Sequence, residues 1–190
     1  VDQDGEWAPY LAESYEQEDD STFRITIRDD VYFHNGDKMT VEDVLFSQEL
    51  CKNSAANAIY YSSIESAEAI DDRTIEYKLA YQDVNFMMIF SNVIVSKSYY
   101  EEVGEQGFAL HPVGTVYFMW DSYVSGDRIE LKAFDQYWGE HGTIETLTIR
   151  FITEKAQALI ELENGAVDVM TADGSTVTAA EGNDSISLFY

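Results

Sequence analysis

Apolar and polar positions alternate strictly over Phe23, Ile25 and Ile27, with Arg24, Thr26 and Arg28 between them. That period of two predicts a strand with one buried face. Asp29-Asp30 breaks the run, and Val31-Tyr32-Phe33 is a second β-prone segment. Asn35-Gly36 predicts a tight turn, because both residues tolerate positive φ. The period then changes. Val41, Val44, Leu45 and Gln48 share one helical face, and Thr40 before them suits an N-cap with Asp43 as its capping-box partner. Glu42 and Asp43 also favour the positive end of the helix dipole.

Further along, Ile64–Ile70 and Thr74–Leu79 flank the turn Asp71-Asp72, and Ile75, Tyr77 and Leu79 alternate, which predicts a hairpin. Asp83 is a candidate cap for a short Phe- and Met-dense helix over Val84–Phe90, expected to plug the core rather than to present a methionine surface. Val93–Lys97 is expected as a buried strand, followed by a short helix that Gly104 stops. Val116–Val124 and Ile129–Phe134 predict a hairpin across Ser125-Gly126-Asp127. Leu147, Ile149 and Phe151 predict a strand. Glu154–Asn164 predicts a helix with Ala158, Leu159 and Leu162 on one face and Gly165 as its stop. Val167–Met170 and Ile186–Tyr190 are expected as strands. Upstream, Pro9 sets an extended or turned backbone, and Leu11, Ala12 and Tyr15 are placed to cover the start of the core.

Composition adds that a core of ordinary size is available, since 45% of the 190 residues are hydrophobic. Thirteen tyrosines suit either a binding surface or a mixed-sheet core, and core packing is the favoured expectation. With 11 basic and 36 acidic residues the formal charge is −25, a field that repels phosphate backbones and anionic lipid. Nucleic-acid binding is therefore not expected. The acids are spread along the whole chain, which favours a solubilising surface over a site for cationic solutes. A single cysteine, Cys51, excludes an internal disulfide and is expected as a small buried hydrophobe. No apolar run is long enough to span a bilayer. The chain starts at Val1 with no leader, and so reads as an internal segment or a mature chain.

Candidate chemistry is sparse. His34, His111 and His141 are far apart in sequence, without a Cys-His cluster, so no metal site and no cofactor are expected. His34 and His111 are expected as hydrogen-bonded loop residues. Nucleophile elbow, phosphate loop and dinucleotide fingerprint are all missing. Carboxylates are too abundant for any pair to be singled out as an acid–base dyad.

Several local motifs are more telling than the chemistry. The stretch RDDVYFHNGDKMTVEDVLFS, residues 28–47, closely resembles the signature LR-x-G-V-x-F-H-[DN]-G-x-x-[FLM]-T-A-E-D-V-x-F-S of the family 5 extracellular solute-binding proteins of ABC importers. Asp30 stands where that family usually has Gly, and Val41 where it usually has Ala. Pro9 with Leu11-Ala12-Glu13-Ser14-Tyr15 resembles P-x-LAES-[WY]. Pro112-Val113-Gly114-Thr115 resembles the P-V-G-T loop, without the Gly-Pro that usually follows. Asp135, Tyr137, Trp138 and Gly139 resemble N-x-x-Y-W-G, and Leu162, Gly165, Val167 and Asp168 fit A-L-x-x-G-E-[VI]-D.

The resemblance implies an α+β fold: a partial type II, Venus-flytrap periplasmic-binding-protein lobe I, with mixed β-sheets and short helices and with lobe II absent. It implies a small α+β subdomain over 1–112 and the first part of the large mixed-sheet subdomain over 113–190. The implied function is a non-enzymatic, extracytoplasmic receptor, periplasmic or lipid-anchored, that closes on a peptide or similar small solute and presents it to ABC permease membrane subunits. Tyr117 and Trp120, just after the altered Gly-Thr loop, are the candidate ligand-contacting residues; core packing is the alternative for both. A different class of reading, a truncated interaction module that self-associates through exposed strand edges, stays open beside it.

Overall fold

The structure is a computed structural model that describes residues 9–189. Its chain divides into two compact units. The first holds the described residues up to Trp120 together with Lys132–Thr146, and the second holds Asp121–Leu131 and the residues from Leu147 onward.

The first unit is organised on a four-stranded sheet. Its strands are β1 (Ala12–Gln17), β2 (Thr22–Ile27), β3 (Ile64–Ala69) and β4 (Thr74–Leu79), in the order β1-β2-β4-β3. Every pairing is antiparallel, with Phe23 opposite Tyr77 and Ile25 opposite Ile75 at the centre. The alternation read from the sequence holds here. Ile75 and Tyr77 are fully buried, and Phe23, Ile25, Ile27 and Leu79 nearly so. On the other face Arg24 and its cross-strand partner Glu76 form an ion pair at 2.9 Å, which Glu18 joins at 2.5 Å.

Strand β1 is not visible as a pattern. Its residues are almost all exposed, so there is no apolar face to detect. It forms because the turn Asp19–Ser21 folds it onto β2, with the Ser21 amide donating to Asp19 Oδ1 at 2.8 Å. Acidic side chains at Glu13 and Glu16 discourage pairing at this edge. Leu11 and Ala12 pack against the core as expected, while Tyr15 is half exposed.

Val31–Phe33 is not a full strand. Both Val31 and Phe33 are completely buried, but the ladder is a single bridge, Tyr32 to Lys38. The turn closes too quickly for more: Gly36 takes φ 89° and donates to the Phe33 carbonyl at 2.8 Å. Helix α1 (Val41–Asn53) follows, with the expected capping box. Asp43 Oδ2 accepts from the Thr40 amide at 2.8 Å, and the Asp43 amide donates to Thr40 Oγ1. Asp43 has a second task. Its Oδ1 accepts from the Lys97 amide at 2.8 Å, so one nearly buried carboxylate holds two helix N-termini.

Helix α2 (Lys97–Leu110) is longer than the sequence suggests. Gly104 leaves the helical conformation at φ 70°, ψ 173°, but the chain resumes its helix and ends only at His111. Ahead of it, 93–96 is not a strand. Val93 is 76% exposed, the Val95 amide donates to Ser47 Oγ rather than to a ladder, and Ser96 caps α2. The Phe- and Met-dense segment forms a 3-10 helix, Phe86–Ser91, and plugs the core with Phe86 and Ile89. Asp83 does not cap it directly; its Oδ1 accepts from the Asn85 amide one step earlier. A second 3-10 turn, Ala58–Tyr61, buries Tyr61. Cys51 is half-buried against this core.

Strands β5 (Phe118–Val124), β6 (Arg128–Ala133) and β7 (Thr146–Arg150) make a three-stranded sheet in that order, and Gly126 turns the β5–β6 hairpin at φ 74°. Strand β7 alternates as expected, yet all of its residues are exposed. Helix α3 (Lys155–Glu163) buries Ala158 and Leu159 and stops at Gly165, φ 70°. Residues 167–170 do not form a strand: Val169 is 86% exposed, and no partner ladder lies beside it among the described residues. An unanticipated helix, α4 (Gly174–Ala180), sits in the polar tail. Asp173 caps it by accepting from the Ser175 and Thr176 amides, contacts that hold its carboxyl down at about 2. Ile186–Phe189 is not a strand, and Tyr190 lies outside the described residues.

Candidate functional site

The distinctive site in the first unit is a junction around the loop Val113–Val116, where motifs distant in sequence meet. The loop is held from two sides. On one, the backbone of His34 donates to the Gly114 carbonyl at 2.9 Å. The His34 ring engages the same loop through both nitrogens, Nε2 with the Val116 carbonyl at 2.8 Å and Nδ1 with the Gly114 amide at 3.2 Å. An amide N–H can only donate and a carbonyl can only accept. The ring is therefore the neutral tautomer with its proton on Nε2. Burial pushes the imidazole below its usual range, and the Val116 carbonyl pulls partly the other way. Phe134 lies edge-on to the ring at 5.1 Å.

On the other side, Trp138 Nε1 donates to the Thr115 carbonyl at 3.1 Å. Tyr10 meets the Trp138 ring edge-on at 4.6 Å, and the Arg28 guanidinium lies 4.8 Å from its centroid. The Tyr10 and Tyr137 hydroxyls are 2.7 Å apart, and burial together with that bond pushes Tyr137 up to about 12. The turn, the loop and the Tyr-Trp-Gly segment are thus bolted into one piece.

Tyr117 belongs to this junction. Its hydroxyl donates to the carbonyls of Gly142 at 2.9 Å and Ile144 at 3.2 Å, and its ring sits among Phe118, Tyr137 and His141. Trp120 lies in β5 and is half-buried. Sequence reasoning took His34 as a hydrogen-bonded loop residue, which it is, and missed its double grip and the role of Trp138. No one-dimensional signal marks either, because both act across more than twenty residues of chain. Beside the loop lies an apolar cavity of about 530 Å³, walled by Leu11, Ile25, Met39, Ile89, Phe90 and Val116 among others. Among the described residues, no group of three or more His, Cys, Asp or Glu side chains is arranged to hold a metal ion.

Comparison with known proteins places this architecture. The sequence pattern of the bacterial extracellular solute-binding proteins, family 5 (Middle), matches residues 6–188, and the chain belongs to that family. Its proteins are transport components rather than enzymes. Among individual relatives, the dipeptide-binding protein of Escherichia coli K12 is 27% identical over 85% of this chain and 36% of its own length. The oligopeptide-binding protein AppA of Bacillus subtilis 168 is 25% identical over 94% of this chain and 35% of its own. Among solved structures, MoaA from A. tumefaciens R10 in complex with mannopinic acid superposes with a TM-score of 0.86 at 26% identity, covering 93% of this chain and 38% of that one. NikZ from Campylobacter jejuni in complex with Ni(L-His) gives 0.84 at 26% identity, covering 93% and 37%. The fold is that of part of a type II periplasmic-binding-protein lobe, and the chain spans a little over a third of the length of these relatives.

Proposed function

We propose that this chain is part of a solute receptor for an ABC importer, acting outside the cytoplasmic membrane as a periplasmic or lipid-anchored protein. It works without bond chemistry: a solute stabilises closure of two lobes, and the closed form is presented to membrane permease subunits. The observation that carries this reading is the extent of the match, which covers 93% of the chain against two solute-bound receptors. Peptides are the favoured solute class, since the curated relatives include dipeptide- and oligopeptide-binding proteins. We assign residues 1–112 to a small subdomain and 113–190 to the start of a larger one.

Solute binding needs the remaining length that the relatives have. Equilibrium dialysis of a peptide mixture tests this, using the 190-residue chain and the same chain within a protein of its relatives' length. Retention by the long form alone supports the reading. No retention by the long form removes peptides as the solute class.

Tyr117 and Trp120 are proposed to line the edge of the solute cleft, because both follow the clamped loop. Replacing both by Ala in the long form should weaken solute binding, with Tyr117→Phe as the control for the lost carbonyl contacts. Unchanged affinity in the double variant overturns the placement. A second reading, self-association through strand edges, has one observation behind it: β7 is the outer strand of its three-stranded sheet, with one edge left unpaired among the described residues. Light scattering across a concentration series decides it.

A further inference from the structure

We propose that His34 is an acid-released latch on the 114–116 loop. The latch stands on hydrogen-bond geometry and is independent of which solute the receptor takes. Nδ1 faces the Gly114 N–H at 3.2 Å, and Nε2 faces the Val116 carbonyl at 2.8 Å. Protonating Nδ1 keeps the second bond and destroys the first, because two N–H donors then point at each other. The backbone bond from the His34 amide to the Gly114 carbonyl must absorb the strain, and the loop moves away from the turn. Gly114, Thr115 and Val116 are also one wall of the apolar cavity, so release of the loop opens that wall.

Among the described residues, no charged side chain bonds the His34 ring to compensate an imidazolium. Along the described elements packed on the ring, the titratable groups are Asp37 and Lys38 in its own turn, His111 ahead of the loop and Tyr117 just after it, and Lys132, Asp135, Tyr137 and His141 around Phe134. The Asp37 carboxylate already accepts from Asn35 Nδ2 at 2.8 Å and Ser98 Oγ at 3.2 Å. His141 Nε2 contacts the Tyr137 carbonyl, and the Tyr137 hydroxyl contacts Tyr10. None of these bonds the His34 ring. Burial without a counter-charge lowers the imidazole, so the latch is closed at neutral pH and opens in acid.

The test is an NMR pH titration of the 190-residue chain that follows the His34 ring and the Gly114 amide together. The expected result has three parts. The ring nitrogens show the Nε2-protonated tautomer at pH 7.5. His34 titrates below the ordinary value of 6.5. With that same midpoint, protection of the Gly114 amide, corrected for intrinsic exchange, falls by at least about tenfold. A His34 midpoint at or above 6.5, the other tautomer, or a Gly114 amide indifferent to the titration overturns the proposal. His34→Gln supplies one donor and one acceptor that do not titrate, and should remove the pH step at Gly114 if it folds. A folded His34→Gln that keeps the step overturns the latch, and if the variant does not fold the titration of the unmodified chain still decides.

Discussion

Strands β4 and β7 carry the same sequence pattern and meet different fates. In β4, Ile75 and Tyr77 are completely buried. In β7, Leu147 and Ile149 alternate just as regularly and are 37% and 43% exposed. The difference is what surrounds them. Strand β4 has a neighbour on both sides, and its inward face is covered by α1 and the Phe86–Ser91 segment, whose rings pack at 5.5 Å and 5.3 Å from Tyr77. Strand β7 is an edge strand. Alternation therefore states which face of a strand is apolar, but burial requires a second layer to lie on that face.

This contrast can be broken experimentally. The largest effect is expected at Ile75→Ala, which should lose about 4 kcal/mol of stability in denaturant unfolding, as a buried aliphatic truncation does. Next comes Asp43→Ala. It removes the bonds to the Thr40 and Lys97 amides at once, and should cost about 2 kcal/mol and fray the starts of α1 and α2 in hydrogen exchange. Trp138→Phe keeps most of the ring but loses the bond to the Thr115 carbonyl, for an expected loss of about 1 kcal/mol. Ile149→Ala should be the mildest, under about 1 kcal/mol, since the side chain already faces solvent. Equal losses at Ile75 and Ile149 would mean that β7 is covered in solution.

Acid sharpens the same comparison. The folded state disfavours the charged form of His34, so its pKa lies below the unfolded value of 6.5. The unfolded chain then binds the proton more readily. Stability from this group is intact above pH 6.5 and is lost as pH falls from 6.5 through the folded value. The loss should be seen at the 114–116 loop of the first unit and should be absent from α3 and α4, as read by amide exchange at two pH values.

Much of the fold was legible because its signals are local. The Thr40–Asp43 capping box, the glycine turns at 36 and 126 and the stop at Gly165 each depend on residues within a few positions of one another. The misses share a cause as well. Strand β1 is polar on both faces and exists only because β2 is beside it. Residues 93–96 and 167–170 have strand-like composition, but a strand is defined by its ladder. Ser47 takes the Val95 amide in the first case, and no ladder forms among the described residues in the second. Helix α4 was hidden by a weak polar sequence, and its one clue was Asp173 at a capping position.

The sequence by itself determined the family motifs, the helix caps, the turns and which face of each strand is apolar, because these follow from backbone preference and side-chain spacing over short stretches. Only the tertiary structure decided that His34 and Trp138 grip one loop from two sides, that Asp43 serves two helices, and that Tyr117 is tied to the carbonyls of Gly142 and Ile144. Each of those contacts joins residues far apart along the chain, and their meeting depends on how the whole sheet and its covering layer pack.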